Sequence, residues 1–426
     1  MSGVAAAIRV ERRRLENGLR IAVAPIADLR STSVLLAIEA GQWFEPTGRA
    51  GVARLTAQTM LRGTTERSAS AWADAVDALG AVARLDVGSH AAVFAAQALG
   101  EDLGALLALM SEALRRPALA ADDLEFVRGQ SLAQLERDER DTRAVVDRVW
   151  RELVYPKTHP FHAPGIGDAA VVRTASVDEI RDYHQSAIRP DGAILIVAGA
   201  TTLERVAAEA QRAFGDWRAG ARRSPRDVPE VAIAATTRRT EVVPDKTQSD
   251  VIIGWPGLPR TDPRFVAARV TNMVYAGDTF ASRAGNVIRD QLGLAYYVFS
   301  GMGSSRGQSP WIVRMGVNPQ NVRRAIEVAI DELRKVTLGD IADDDLALAK
   351  DKLVGELDVA LESPGGVASM VLEAELFDLG DDHFERYPRA LRAVTKDQVV
   401  DTARTLIPPE RHALVVAGPP LPETIA

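Results

Sequence analysis

The chain has 426 residues, 46% of them hydrophobic and 26% charged, with a formal net charge of −7 and no cysteine. That length points to two domains of ordinary size, and the lack of cysteine excludes disulfides, thiolate zinc sites and cysteine nucleophiles. No extended basic stripe is present, since Arg12-Arg13-Arg14 and Arg222-Arg223 are short, so nucleic acid is not an expected partner. No apolar run approaches the ~20 residues that cross a bilayer. Met1 to Ala7 is too short and uncharged for a signal peptide. The compartment is left open: the periplasm if a leader has been removed, otherwise the cytoplasm.

In chain order, Asn17-Gly18 lies between two alternating apolar stretches and predicts a hairpin. Residues 32–40 read as a strand, 50–61 as a short helix entered through Pro46-Thr47-Gly48, and 68–79 as a second helix. Strands are expected near 82–88 and 91–98, and helices near 102–115 and 121–154. A helix over 176–186 then leads into a strand over 193–198. The polar run Gly220 to Pro229 carries two prolines and no apolar periodicity, the mark of a linker.

An internal duplication organises the whole. Ile194-Leu195-Ile196-Val197-Ala198-Gly199 returns as Ala413-Leu414-Val415-Val416-Ala417-Gly418. The helix opening Ser176-Val177-Asp178-Glu179-Ile180 matches Thr395-Lys396-Asp397-Gln398-Val399, and Ala121-Asp122-Asp123-Leu124 matches Asp343-Asp344-Asp345-Leu346. Ser33-Val34-Leu35-Leu36 matches Asp250-Val251-Ile252-Ile253. Chance explains one such pair but not four in the same order. The domains are therefore expected at 1–219 and 236–426, joined by a linker over 220–235, with the second repeating the plan of the first. Hairpin-like connections and strands covered by helices predict an α+β class. Each domain is a mixed, mostly antiparallel sheet packed with α-helices, rather than a doubly wound parallel sheet.

Two similar halves with Asn17-Gly18-Leu19-Arg20 near the start resemble the pitrilysin/insulinase metallopeptidases, in the branch of mitochondrial processing peptidase and its bacterial relatives. The resemblance implies the processing-peptidase (LuxS/metallohydrolase-like) fold. In catalytic members the helix after the first long strand carries His-x-x-Glu-His. Two histidines four apart on one helical face share a metal, and the glutamate serves as base for the metal-bound water. The frame Gly51-Val52-Ala53-Arg54-Leu55-Thr56-Ala57-Gln58-Thr59-Met60-Leu61-Arg62-Gly63-Thr64 aligns without a gap, and the chemistry is gone from it. Arg54 stands at the first ligand position, Ala57 at the base and Gln58 at the second ligand. The family's further glutamate ligand aligns best with Gln134, with Glu136 nearby. The six histidines, His90, His159, His162, His184, His383 and His412, read as solvated or satisfied core residues, and no metal site is expected in this chain.

The second half keeps a different part of the pattern. Arg289-Asp290-Gln291-Leu292-Gly293-Leu294-Ala295-Tyr296-Tyr297-Val298 is similar to the family's Arg-x-x-x-Gly-Leu-Ala-Tyr-x-Val, and Thr279-Phe280-Ala281-Ser282-Arg283 to its Phe-Ser-Ser-Arg. On the residues alone, Arg289 is an exposed helix-terminal cation and Tyr296 a core aromatic. The resemblance instead implies that the two reach the zinc site and hold the peptide and its developing oxyanion, as donors of that kind can. Asp250 to Gly257 reads as a strand ended by a Pro-Gly turn, as good a core strand as a sheet edge for peptide. The expected function is that of a non-catalytic subunit of a heteromeric zinc peptidase. It would close a clamshell over unfolded peptide and supply Arg289 and Tyr296 to the zinc of a homologous HxxEH partner. The alternative is a structural or peptide-binding scaffold resembling the respiratory-complex core proteins. Independent peptidase activity is disfavoured because Ala57 removes the base.

Overall fold

In chain order the first half forms β1 (Glu11–Arg14), β2 (Arg20–Pro25), β3 (Ser31–Ile38), α1 (Val52–Met60), α2 (Ala69–Asp77), β4 (Val82–Val87), β5 (Ala92–Leu99), α3 (Leu103–Arg115), α4 (Ala121–Asp138), α5 (Thr142–Val154), α6 (Ala169–Thr174), α7 (Val177–Ala187), β6 (Ala193–Gly199) and α8 (Leu203–Phe214). The second half forms β7 (Thr237–Val242), β8 (Ser249–Pro256), α9 (Phe265–Tyr275), α10 (Arg283–Gly285), β9 (Ala295–Met302), β10 (Pro310–Val317), α11 (Val322–Leu338), α12 (Asp343–Leu361), α13 (Pro364–Phe377), α14 (His383–Ala393), α15 (Lys396–Leu406) and β11 (Ala413–Gly418). The computed structural model describes residues 8–27, 29–218 and 224–422. Met1 to Ala7, the first part of the expected linker over 220–223 and the Arg222-Arg223 pair lie outside the described residues. Residues 224–235 carry no regular structure.

The duplication is visible strand by strand. One sheet has the order β1-β2-β6-β3-β5-β4 and the other β7-β11-β8-β10-β9. Among the described residues only β2/β6 in the first and β7/β11 in the second run parallel. From β2 to β6 and from β7 to β11 the elements correspond one for one, β1 and α8 being additions to the first half. The α+β class and the mixed, mostly antiparallel sheets hold. Asn17-Gly18 makes the expected hairpin: Gly18 takes φ +96°, which favours glycine, and the Asn17 side chain accepts from the Leu19 amide at 3.1 Å.

One expected element is corrected. The helix read over 121–154 is two helices, broken because Asp141 caps α5 by accepting from the Arg143 and Ala144 amides at 2.8 and 3.1 Å. That break has a topological role. The chain folds as two compact units, residues 1–134, 165–227 and 358–384 forming one, and 135–164, 228–357 and 385–426 the other. Thus α5, from the first half, belongs to the second unit, and its counterpart α13 belongs to the first.

Each exchanged helix covers a sheet. Val367, Ala368, Val371 and Ala374 of α13 pack on Ala22, Ala24, Leu35, Ile194 and Ile196. In the second unit α5 lies on β8 and β11. Its Trp150 is fully buried and donates from Nε1 to the Ala413 carbonyl at 3.1 Å. Gly254 of β8 makes room for that ring, since a Cβ there would stand 2.7 Å from Trp150 Cζ2. Because β8 lies between β11 and β10, Asp250 to Gly257 is a core strand rather than an edge. The sheet edges are β1 and β4 in one unit and β7 and β9 in the other.

Candidate functional site

Helix α1 carries the aligned zinc-motif positions and is set from its N-terminus. Gly51 enters it in the left-handed region at φ +108°, and buried Glu45 accepts from the Gly51 and Ala53 amides at 2.8 and 3.0 Å. Burial pushes the Glu45 carboxyl up to about 7, against the opposing pull of these two hydrogen bonds and of Arg226. Between Gly51 and Met60 only Arg54 and Gln58 are not fully buried. Ala57 lies beneath them at 3% exposure. Arg54 has no hydrogen-bond or ion-pair partner among the described residues, and its Nε is shut off from solvent.

Zinc does not fit this residue set. A permanent guanidinium repels a cation and offers no lone pair, an amide is a poor donor, and Ala57 has nothing to titrate. Gln134 lies part-buried on α4 and is likewise an amide. The histidines are engaged elsewhere. His159 stacks on Tyr155 with ring centroids 4.5 Å apart, and His162 Nδ1 lies 2.8 Å from the Tyr155 carbonyl. His184 Nε2 lies 2.8 Å from the Leu114 carbonyl, with burial holding its pKa below the usual value. His412 Nδ1 lies 2.9 Å from the Pro409 carbonyl, while His90 and His383 are buried. No group of three or more metal-ligating side chains gathers among the described residues.

Arg289 and Tyr296 belong to the second unit. Ser282 caps α10, and the chain continues as a π-type turn over Asn286–Gln291, in which the Leu292 amide donates to the Val287 carbonyl at 3.1 Å. Such turns are frequent at functional sites. Arg289 sits on this turn, its guanidinium 4.6 Å from the Phe280 ring centroid and 2.5 Å from Asp290. Gly293, at φ +61°, reverses the chain into β9. Tyr296 is the second residue of β9 and is 82% exposed. It is therefore not a core aromatic. Phe280, Leu292 and Phe299 are also exposed, so the turn and edge strand present a cation, a phenol and an apolar surround. No hydrogen bond joins Arg289 to Tyr296 among the described residues. The residues of α1 belong to the other unit.

A model of the insulinase family, peptidase family M16, matches residues 21–159, and one described as the peptidase M16 inactive domain matches 174–353. The chain belongs to the M16 peptidase family. An uncharacterised zinc protease of Streptomyces coelicolor is 26% identical over 416 residues, covering 96% of this chain and 90% of that protein. The mitochondrial-processing peptidase subunit beta of Saccharomyces cerevisiae is 22% identical over 361 residues, covering 82% and 78%. A crystal structure of a peptidase M16 inactive domain from Pseudomonas fluorescens superposes with a TM-score of 0.91 at 19% identity, covering 98% of this chain and 99% of that one. A protease from Helicobacter pylori gives 0.90 at 17% identity, covering 97% and 100%.

Within this M16 chain, sequence reasoning missed the residues that orient Tyr296. Asp250, 3% exposed, accepts from the Tyr297 and Thr142 hydroxyls, each at 2.5 Å. Arg143 donates to the Tyr297 hydroxyl at 3.2 Å, its guanidinium 4.4 Å from that ring's centroid. Burial, then Asp250, holds the Tyr297 phenol above its usual pKa, so it stays protonated as the donor. The β9–β10 pairing shifts here, Gly316 opposing Tyr297 and Val317 opposing Ala295, so Tyr296 is the extra residue of a bulge. Tyr297, anchored on Asp250, fixes the strand beside it. The pairing of Thr142 and Arg143 with Tyr297 left no local signal, because it depends on α5 joining the second unit.

Proposed function

We propose that this chain is the non-catalytic subunit of a heteromeric zinc peptidase. It closes over an unfolded peptide and supplies Arg289 and Tyr296 to the zinc site of a homologous HxxEH-containing subunit. The observation that carries this reading is the contrast between the two aligned sites. Arg54, Ala57 and Gln58 cannot hold or use a metal, whereas Arg289 and Tyr296 stand at an open surface as donors suited to a carbonyl oxygen gaining charge. Zinc belongs to the partner in this reading. The family membership and the match to an M16 inactive domain support it.

The test is to combine the chain with an HxxEH subunit and follow cleavage of an unstructured peptide. The chain alone is expected to hold no stoichiometric zinc and to cleave nothing. In the complex, Arg289→Ala is expected to lower kcat by about 10²-fold or more, the usual scale for losing one oxyanion donor, and Tyr296→Phe to lower it less. If both variants form the complex and cleave at the wild-type rate, the shared-site reading is wrong. That result would favour a scaffold, for which the exposed Phe280, Tyr296 and Phe299 offer an apolar docking surface.

A further inference from the structure

The zinc-motif helix has lost one chemistry and acquired the elements of another. Between Gly51 and Met60, Arg54 and Gln58 alone reach outward. They stand one turn apart on the same face, about 5–6 Å between Cβ atoms. Ala57, at the aligned base position, is buried at 3% exposure and adds no polar group to the face. Arg54 is partly exposed and has no carboxylate or carbonyl partner among the described residues. The reachable N–H groups of its guanidinium are therefore open to an outside acceptor, and an anion is the strongest of these. Arg62, just beyond the end of α1, instead forms an ion pair with Asp123 at 3.6 Å, its guanidinium 4.1 Å from the Phe126 ring centroid.

The surroundings indicate the kind of anion. Helix α1 packs beside β4. That strand is an edge of its sheet, with backbone groups unpaired on one side. Its own charges, Arg84 and Asp86, are exposed and paired with each other at 3.1 Å. A guanidinium fork and an amide N–H, both donors and beside an open strand edge, match the planar oxygens of a carboxylate carried by an extended chain.

We propose that Arg54 and Gln58 form a carboxylate-binding site that anchors a peptide by its free C-terminus or an acidic side chain. The site lies where the aligned motif would have held a metal. The proposal uses residues of α1 and the edge of β4 only, and does not rest on the paired-subunit reading.

The test takes the full chain alone and measures fluorescence anisotropy with a short, unstructured, labelled peptide. It is made as the C-terminal acid and as the amide, each with an internal glutamate or a glutamine. A peptide bearing a carboxylate is expected to bind at least about tenfold more tightly than the version with none, in keeping with charge-assisted bidentate pairing. The preference should follow the terminus or the side chain, which identifies the source. Arg54→Gln should abolish it, and Arg54→Lys should keep only part, having lost the fork. Because Arg54 makes no bond to the described protein, Arg54→Gln should melt no lower than wild type. Arg289→Ala and Tyr296→Phe should leave the preference unchanged, so failure of the catalytic reading is read separately. Equal binding of all four peptides, a preference that persists in Arg54→Gln, or no binding to the wild-type chain overturns the proposal.

Discussion

Replacing Trp150 by alanine tests the exchange of helices between the two halves. The indole belongs to a helix encoded in the first half, yet it is fully buried on the second sheet. It meets Tyr155 edge-on with centroids 5.9 Å apart and donates to the Ala413 carbonyl at 3.1 Å. Deleting a buried Trp or Phe side chain costs about 3–5 kcal/mol. The lost hydrogen bond adds about 1 kcal/mol. Gly254 offers no side chain with which to fill the space, so the loss should fall in the upper part of that range. The suitable assay is native-state hydrogen exchange resolved by peptide, because a chain of two units need not unfold in one step. Protection should fall in β8 and β11 by about 4 kcal/mol and stay unchanged in β3 and β6. Trp150→Phe, which keeps most of the volume, should lose much less. A change below about 1 kcal/mol, or a loss that appears in β3 and β6, would refute the assignment of α5 to the second sheet.

Two further predictions concern the groups that set α1 and β9. Glu45 titrates at about 7 in the fold against 4.5 as an ordinary glutamate. The folded chain thus holds a proton that the unfolded chain has released between those values, and stability falls as pH rises through the window. Glu45→Gln keeps an acceptor for the Gly51 and Ala53 amides and should remove that slope. Its stability relative to wild type should rise between pH 4.5 and 8 by up to about 3 kcal/mol, and urea unfolding with an unchanged pH slope would contradict this. The adjacent tyrosines should behave oppositely: Tyr297→Phe leaves buried Asp250 short of a donor and should cost about 1.5–3 kcal/mol. Tyr296→Phe, at an exposed position, should shift thermal stability by no more than about 0.5 kcal/mol.

What was legible in the sequence was whatever repeats locally. The recurrence of Ile194 to Gly199 in Ala413 to Gly418 identified two strands that occupy matching places in two sheets. Asn17-Gly18 marked its hairpin because a left-handed turn restricts residue choice. The break at Asp141 was missed although Asp141-Thr142 is a capping signal, since the surrounding charges continue a helical pattern. The amphipathic helix α8, capped by Thr202, was also passed over. At the site, the residue types of α1 spoke for themselves, because a missing imidazole is visible without coordinates. Burial was not. Local sequence alone read Tyr296 as a core aromatic, against what the resemblance implied; its exposure depends on the bulge in the β9–β10 pairing and on Asp250, 47 positions from Tyr297, holding that neighbour.

The traded helices also bear on how the protein is made. The ribosome releases the strands of the first sheet early, but α13, which packs over Ala22, Ile194 and Ile196, emerges only with residues 364–377 of 426. Until then that apolar face lacks its cover, so the first unit cannot mature as an independent early intermediate in the way that N-terminal domains often do. Cutting the gene at the linker would likewise yield two fragments that each lack a helix for their own sheet and carry one meant for the other. Each would expose an apolar sheet face until it met the other. Fusion of the halves in one polypeptide guarantees that meeting.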